Sequence, residues 1–217
     1  MFELPLFPLN TVLFPSTPLR LHIFEERYKR MISACMTNHQ PFGVVLIRQG
    51  KEAMGPLAEP YFIGCTAQIV HVQHLEEGRM NIAAIGLERF RVLSLNRRTQ
   101  LYLVGYVEPY PLLNQDPIAA GEAANRMREW VRRYMATLSQ AGSGELDPDE
   151  LPNDPLEFTY TAASLLQISN IDKQELLSLD TAIHLLEGLT AIYRREVALA
   201  KAMLAQSQEI KGAFSLN

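Results

Sequence analysis

The run Ile63-Gly-Cys-Thr-Ala-Gln-Ile-Val-His-Val-Gln-His-Leu75, then Glu76-Glu-Gly78, then Met80-Asn-Ile-Ala-Ala-Ile85, decides how the first half of the chain folds. Two apolar-rich segments meet across a short acidic turn that ends in glycine, which is how a β-hairpin is written. Outward from it, Phe42 to Ile47, Phe90 to Leu95 and Leu101 to Glu108 repeat the texture: short segments of Val, Ile, Leu and Phe punctuated by Gly and Pro. One helix interrupts them. From Phe24 to Cys35, Tyr28, Met31, Ile32 and Cys35 recur at i, i+3, i+4 and i+7, with Glu26, Lys29 and Arg30 on the other side.

After Pro117 the period changes to 3.6. Ala119 to Leu138 places Ala123, Met127, Trp130, Val131, Tyr134 and Leu138 on one stripe of a helix. Residues 139–155 gather glycines, prolines and acids, a composition too poor in apolar surface to offset its ordering entropy, and read as a mobile acidic loop. Leu156 to Gln167 and Lys173 to Leu179 read as shorter helices, the second capped by Asp172. A long last helix runs from Thr181 to about Ile210 on a stripe that includes Leu185, Leu189, Tyr193, Val197 and Met203. The expected class is α+β: a strand-rich domain over 1–112 and a helical one over 117–217, with Pro109, Pro111 and Pro117 at the joint.

Across 217 residues, 20 Lys and Arg stand against 24 Asp and Glu, a net charge of -4. No basic excess is available for a phosphate backbone or an anionic lipid surface, so neither nucleic acid nor membrane is an expected partner. No uncharged apolar run approaches the roughly 20 residues of a membrane helix. The prolines at 5, 8 and 15 interrupt any signal-peptide core. The two cysteines, Cys35 and Cys65, are too few for a disulfide framework and suit a reducing, cytoplasmic location.

Motifs for catalysis are missing. Gly50-Lys51 lacks the earlier glycine and the hydroxyl residue of a P-loop, and neither GxSxG nor GxGxxG occurs. His71 and His74 have HxxH spacing, but on a strand residues three apart point to opposite faces, so no metal site is expected. Asp147, Asp149, Glu150 and Asp154 lack the spacing of a calcium loop. Cys35 and His39 name no third, orienting residue. No cofactor is expected. Glu25, Arg27 and Arg89 stand in apolar surroundings, where charges tend to be paired, and structural ion pairs are the first reading. The second takes Arg27, Tyr28, Arg89 and Phe90 as a peptide-binding set, the arginines receiving carboxylates or carbonyls of the bound chain. Phe7, Phe14, Phe24, Tyr28 and Phe90 are each expected in the core.

Taken together, Glu3-Leu-Pro-Leu-Phe-Pro-Leu-Asn-Thr-Val-Leu-Phe-Pro15, Leu21 to Met31, Phe42 to Ile47, Ile63-Gly64, Gly78 to Val92 and Asp172-Lys-Gln-Glu-Leu-Leu177 resemble the N-terminal substrate-recognition domain of Lon proteases. The resemblance implies a PUA-like β pseudobarrel followed by a helical bundle. It also implies a non-catalytic module that binds unfolded or extended polypeptide, or a partner protein, because the ATPase and protease motifs of Lon are absent from these residues. A partly open barrel offers sheet edges to which an extended peptide adds hydrogen bonds. Two other readings stand beside this one: a small-molecule hydrolase or transferase with an unrecognised pocket, and an RNA-binding PUA-like protein. The last helix also leaves open a homo-oligomer.

Overall fold

The computed structural model describes residues 1–140 and 147–214. The chain divides into two compact units, Met1–Leu112 with Ala163–Asp180, and Leu113–Ala162 with Thr181–Asn217. The first unit therefore takes up residues 163–180, which the sequence texture assigns to the helices.

In the first unit the order is β1 (Phe2–Leu9), β2 (Pro18–Ile23), α1 (Glu26–Thr37), β3 (Phe42–Gln49), β4 (Glu59–Pro60), β5 (Ile63–His74), β6 (Met80–Asn96) and β7 (Leu103–Pro109). Five strands follow one another as β1-β7-β6-β5-β3, and a parallel pairing of β1 with β3 joins the ends. The sheet closes on itself, which removes most of its edges. β4 hangs on β3 and β2 on β6 as appendages to this ring.

β1 forms despite Pro5 and Pro8. It pairs with β7 over Phe2 to Leu6 and with β3 over Leu6 to Leu9, so each proline has a strand on one side only. A missing N–H costs no ladder bond where the strand is locally an edge. Side chains alternate between two separate clusters. Phe7, Leu9, Val44, Ile82 and Ala84 join Tyr28, Met31, Ile32 and Cys35 of α1. Leu4, Leu6, Val45, Phe90, Val92, Leu103 and Val107 form the second cluster. The predicted apolar face of α1 is thus its buried face. Met80–Asn96 is one continuous strand rather than two, and the turn expected at Glu76 to Gly78 is a single 3-10 turn with Glu77 and Gly78 both at positive φ.

α4 (Asn170–Leu177) completes this unit. Its N-cap is Ser169 rather than Asp172: the Ser169 hydroxyl accepts from the Asp172 amide at 3.1 Å and donates to the Asp172 carboxylate at 2.8 Å. Gln174, fully buried, donates to the Ile63 carbonyl at 3.1 Å and so ties the helix to the start of β5.

The second unit holds α2 (Pro117–Gln140), the part of α3 (Pro155–Leu165) up to Ala162, and α5 (Ala182–Phe214). α2 buries Ala124, Met127, Val131 and Tyr134 against Leu185, Leu186, Leu189, Tyr193 and Val197 of α5. Tyr134 meets Tyr193 edge-on at 5.3 Å, and the Tyr193 hydroxyl donates to the Ala162 carbonyl at 2.7 Å. Of the expected acidic loop, Ser139 and Gln140 end α2, 141–146 lie outside the described residues, and Pro148–Glu150 form a 3-10 turn capped by Asp147. No helix among the described residues is long and apolar enough to cross a membrane.

Candidate functional site

Of the four residues marked as a peptide-binding set, Tyr28, Arg89 and Phe90 are buried and Arg27 is half-buried. Tyr28 stacks on Phe7 with ring centroids 4.0 Å apart, and burial pushes its hydroxyl up to about 12. Arg27 pairs with Glu25 at 3.0 Å, donates to the Gly55 and Glu52 carbonyls at 3.1 and 3.4 Å, and lies 4.7 Å over the Tyr28 ring. It fastens the 52–55 segment to the start of α1. Arg89 is 3% exposed and donates through Nη1 to the carbonyls of Leu177 and Leu179, both at 2.6 Å. Leu177 is the last residue of α4, where helical carbonyls lack intrahelical partners, and Leu179 follows just beyond the Ser178 cap. Phe90 is 1% exposed and lies in the other core cluster from Tyr28. Tyr28 and Phe90 thus pack in the core, and both arginines find their partners within the strand unit. The set does not converge on one surface.

Of the five aromatics expected in the core, Phe7, Phe14, Tyr28 and Phe90 are there; Phe24 is 44% exposed. It continues β2 past Ile23 and stacks on His22 at 6.0 Å. Across β6 from this end of β2 lies the part of β5 that the ring closure leaves open. β3 pairs with β5 only from Cys65 to Ala67, so from Gln68 to His74 one edge of β5 carries no strand among the described residues. A bulge between Ile69 and His71 turns Val70 outward, and regular pairing to β6 resumes from His71 to His74. Beside this edge a cleft of about 250 Å³ is lined by Cys35, Met36, His39, Gln40 and residues 68–72 of β5.

On the outer face of β2, β6 and β5 a broader depression of about 620 Å³ is lined by Arg20, His22, His71, Gln73, Asn81 and Ala83, together with Leu21 and Ile82. The sequence offered only the HxxH spacing as a pointer to this region. His71 does lie on a strand, but its neighbours there are Arg20 and Ala83 rather than His74, because cross-strand register and not chain spacing decides who meets whom. Among the described residues no group of three or more His, Cys, Asp or Glu could hold a metal ion. Cys35 lines the cleft with His39, yet burial pushes its thiol up to about 11, against the pull of a Gln40 hydrogen bond. A thiol so protonated is a poor nucleophile. In the helical unit a groove of about 280 Å³ between α2 and α5 presents Trp130, flanked by Arg133 and Arg194 at 5.0 and 5.3 Å from its ring.

A closed strand ring followed by a helical unit is an architecture with known counterparts. The chain superposes on the crystal structure of a Lon N-terminal domain protein from Xanthomonas campestris with a TM-score of 0.59 and 26% identity, covering 88% of this chain and 98% of that one. The N-terminal domain of a Mycobacterium avium complex Lon protease shares the fold at a TM-score of 0.66 and 16% identity, over 89% and 98% of the two chains. In sequence, the chain is 31% identical over 176 residues to a Lon protease of Anaeromyxobacter dehalogenans, covering 80% of this chain and 21% of that protein. With the Escherichia coli Lon protease the identity is 21%, covering 91% of this chain and 25% of that protein. The chain thus spans between a fifth and a quarter of the length of these two relatives. The profile of the family described as the ATP-dependent protease La (LON) substrate-binding domain matches residues 3–193. The protein belongs to that family, and its fold is the PUA-like pseudobarrel with a helical bundle that the resemblance implies.

Proposed function

We propose that the protein is a non-catalytic polypeptide-recognition module that takes extended segments along the free edge of β5. The observation that carries this reading is the edge of β5 beyond Ala67 that meets no strand among the described residues, where His71 to His74 hold regular pairing to β6 on the other edge, beside the cleft against α1. An extended chain laid there adds main-chain hydrogen bonds without regard to its sequence, and the cleft takes an apolar side chain from it. Only four residues follow the bulge, so affinity is modest once ordering costs are subtracted. Unfolded segments or an extended strand of a partner protein meet these requirements equally. A small-molecule hydrolase or transferase is the weaker reading, because the one thiol facing the cleft is held protonated. Both cysteines are free thiols, which suits a reducing cytoplasm as the place of action.

The test is amide hydrogen exchange on the full chain with and without a reduced, alkylated model protein. Binding is expected to slow exchange at edge amides within 70–74 while leaving β7 unchanged. Binding with no added protection in 68–74 overturns the site, and absence of binding overturns the function.

A further inference from the structure

The depression on the outer face of β2, β6 and β5 is built in two rungs. In one, His22, Asn81 and Gln73 lie opposite one another across the three strands. They are linked in series: His22 Nδ1 lies 2.7 Å from Asn81 Oδ1, and Asn81 Nδ2 donates to Gln73 Oε1 at 3.1 Å. Because Asn81 Oδ1 only accepts, His22 Nδ1 is the donor, and this bond orients the ring, with Phe24 stacked against it. In the next rung Arg20, Ala83 and His71 are opposite one another. Ala83 contributes only a methyl group between two long polar side chains, so the centre of the rung is the floor of the depression. Strand spacing puts Arg20 and His71 about 10 Å apart at their backbones. Among the described residues Arg20 makes no hydrogen bond or ion pair, and no carboxylate lines the depression. A guanidinium without an anion, facing a His across an alanine floor, is a receptor for negative charge.

We propose that this face receives carboxylate side chains of a bound polypeptide, Asp or Glu seated over Ala83 between Arg20 and His71. The proposal rests on the polypeptide-binding reading above and names the class of segment preferred. His71 lines both the depression and the β5 cleft, so one extended segment on the edge of β5 reaches both. A polypeptide is favoured over a nucleic acid because the chain as a whole carries a net charge of -4, which repels a long polyanion but not a locally acidic segment.

The test uses fluorescence anisotropy with the full chain and two labelled peptides of one apolar-rich sequence, identical except that Glu in one is Gln in the other. The Glu peptide is expected to bind about fivefold tighter at low salt. The ratio is expected to fall toward one at high salt, and in Arg20→Gln and His71→Gln variants whose circular dichroism is unchanged. Equal binding of the two peptides, or a ratio unaltered by Arg20→Gln, overturns this inference and leaves the polypeptide-binding reading standing. Binding of neither peptide overturns both. Displacement of the Glu peptide by a single-stranded RNA oligonucleotide at a lower concentration than by unlabelled Glu peptide also overturns it, by assigning the face to nucleic acid.

Discussion

Arg89 illustrates what a single residue does here. Its charge sits in an apolar stretch of β6, and the sequence marks it as needing a partner. The partners are backbone carbonyls of Leu177 and Leu179, 88 and 90 residues away, with the Tyr110 ring 4.8 Å from the guanidinium. No spacing rule reaches that far. Replacing Arg89 with Met keeps much of the volume and takes the shared donor away from the Leu177 and Leu179 carbonyls. The expected loss is about 3 kcal/mol in urea unfolding, while a loss below about 1 kcal/mol would mean that water replaces the guanidinium. Phe24 teaches the reverse lesson. Its apolarity predicts burial, but it stands one residue beyond β2 and stays 44% exposed, its ring stacked on His22 at the rim of the depression. The candidate site was legible only in part for this reason: Arg20, His22, Gln73, Asn81 and Ala83 are unremarkable in the chain and become a set only through register.

At the scale of elements, local patterns specify what local physics controls. The helical stripe of α1, the 3.6 period of α2 and the buried face of α5 as far as Val197 all follow from spacing. Two kinds of element escape such reading. β1 looks broken by Pro5 and Pro8 and forms because each proline falls where only one neighbour strand is present. β6 looks like two strands because Gly86 interrupts it, yet Gly86 is there to admit another backbone. A Cβ at this position would lie 2.2 Å from the Phe14 carbonyl oxygen, and Gly86 exchanges hydrogen bonds with Ser16 and Thr17 at 2.8 and 2.9 Å. Gly86→Ala is expected to destabilise the protein by about 2–3 kcal/mol, since the neighbour is main chain and cannot swing aside. A thermal melt unchanged from the parent would contradict that. Ser169, not Asp172, caps α4, and both residue types suit a cap; the hydrogen bond from the Asp172 amide decides between them.

For the whole molecule, stability against pH follows from what the two units bury. Burial raises Cys35 from its ordinary 9.0 to about 11 and Tyr28 from 10.0 to about 12, and it also raises Cys65 and Tyr193. Each is neutral when protonated, so the folded chain holds its proton to higher pH than the unfolded chain does. Between the two values the native state binds more protons, so the contribution of these groups is fully present below about pH 9 and is lost as pH rises through the window from about 9 to 12. Urea midpoints are expected to fall across that window, with a shallower slope in Cys35→Ala; a flat profile would mean that these groups are solvated. The sequence by itself determined the α+β class, the helices with a clear period, the main antiparallel hairpin and the family, since these rest on contacts between near neighbours and on side-chain alternation. Tertiary structure alone decided the closure of the ring through the parallel β1–β3 pair, the return of 163–180 to the strand unit, and the free edge and outer face of β5. Each of those depends on hydrogen bonds between segments tens of residues apart, whose partners are chosen by mutual burial and register rather than by anything written locally in either segment.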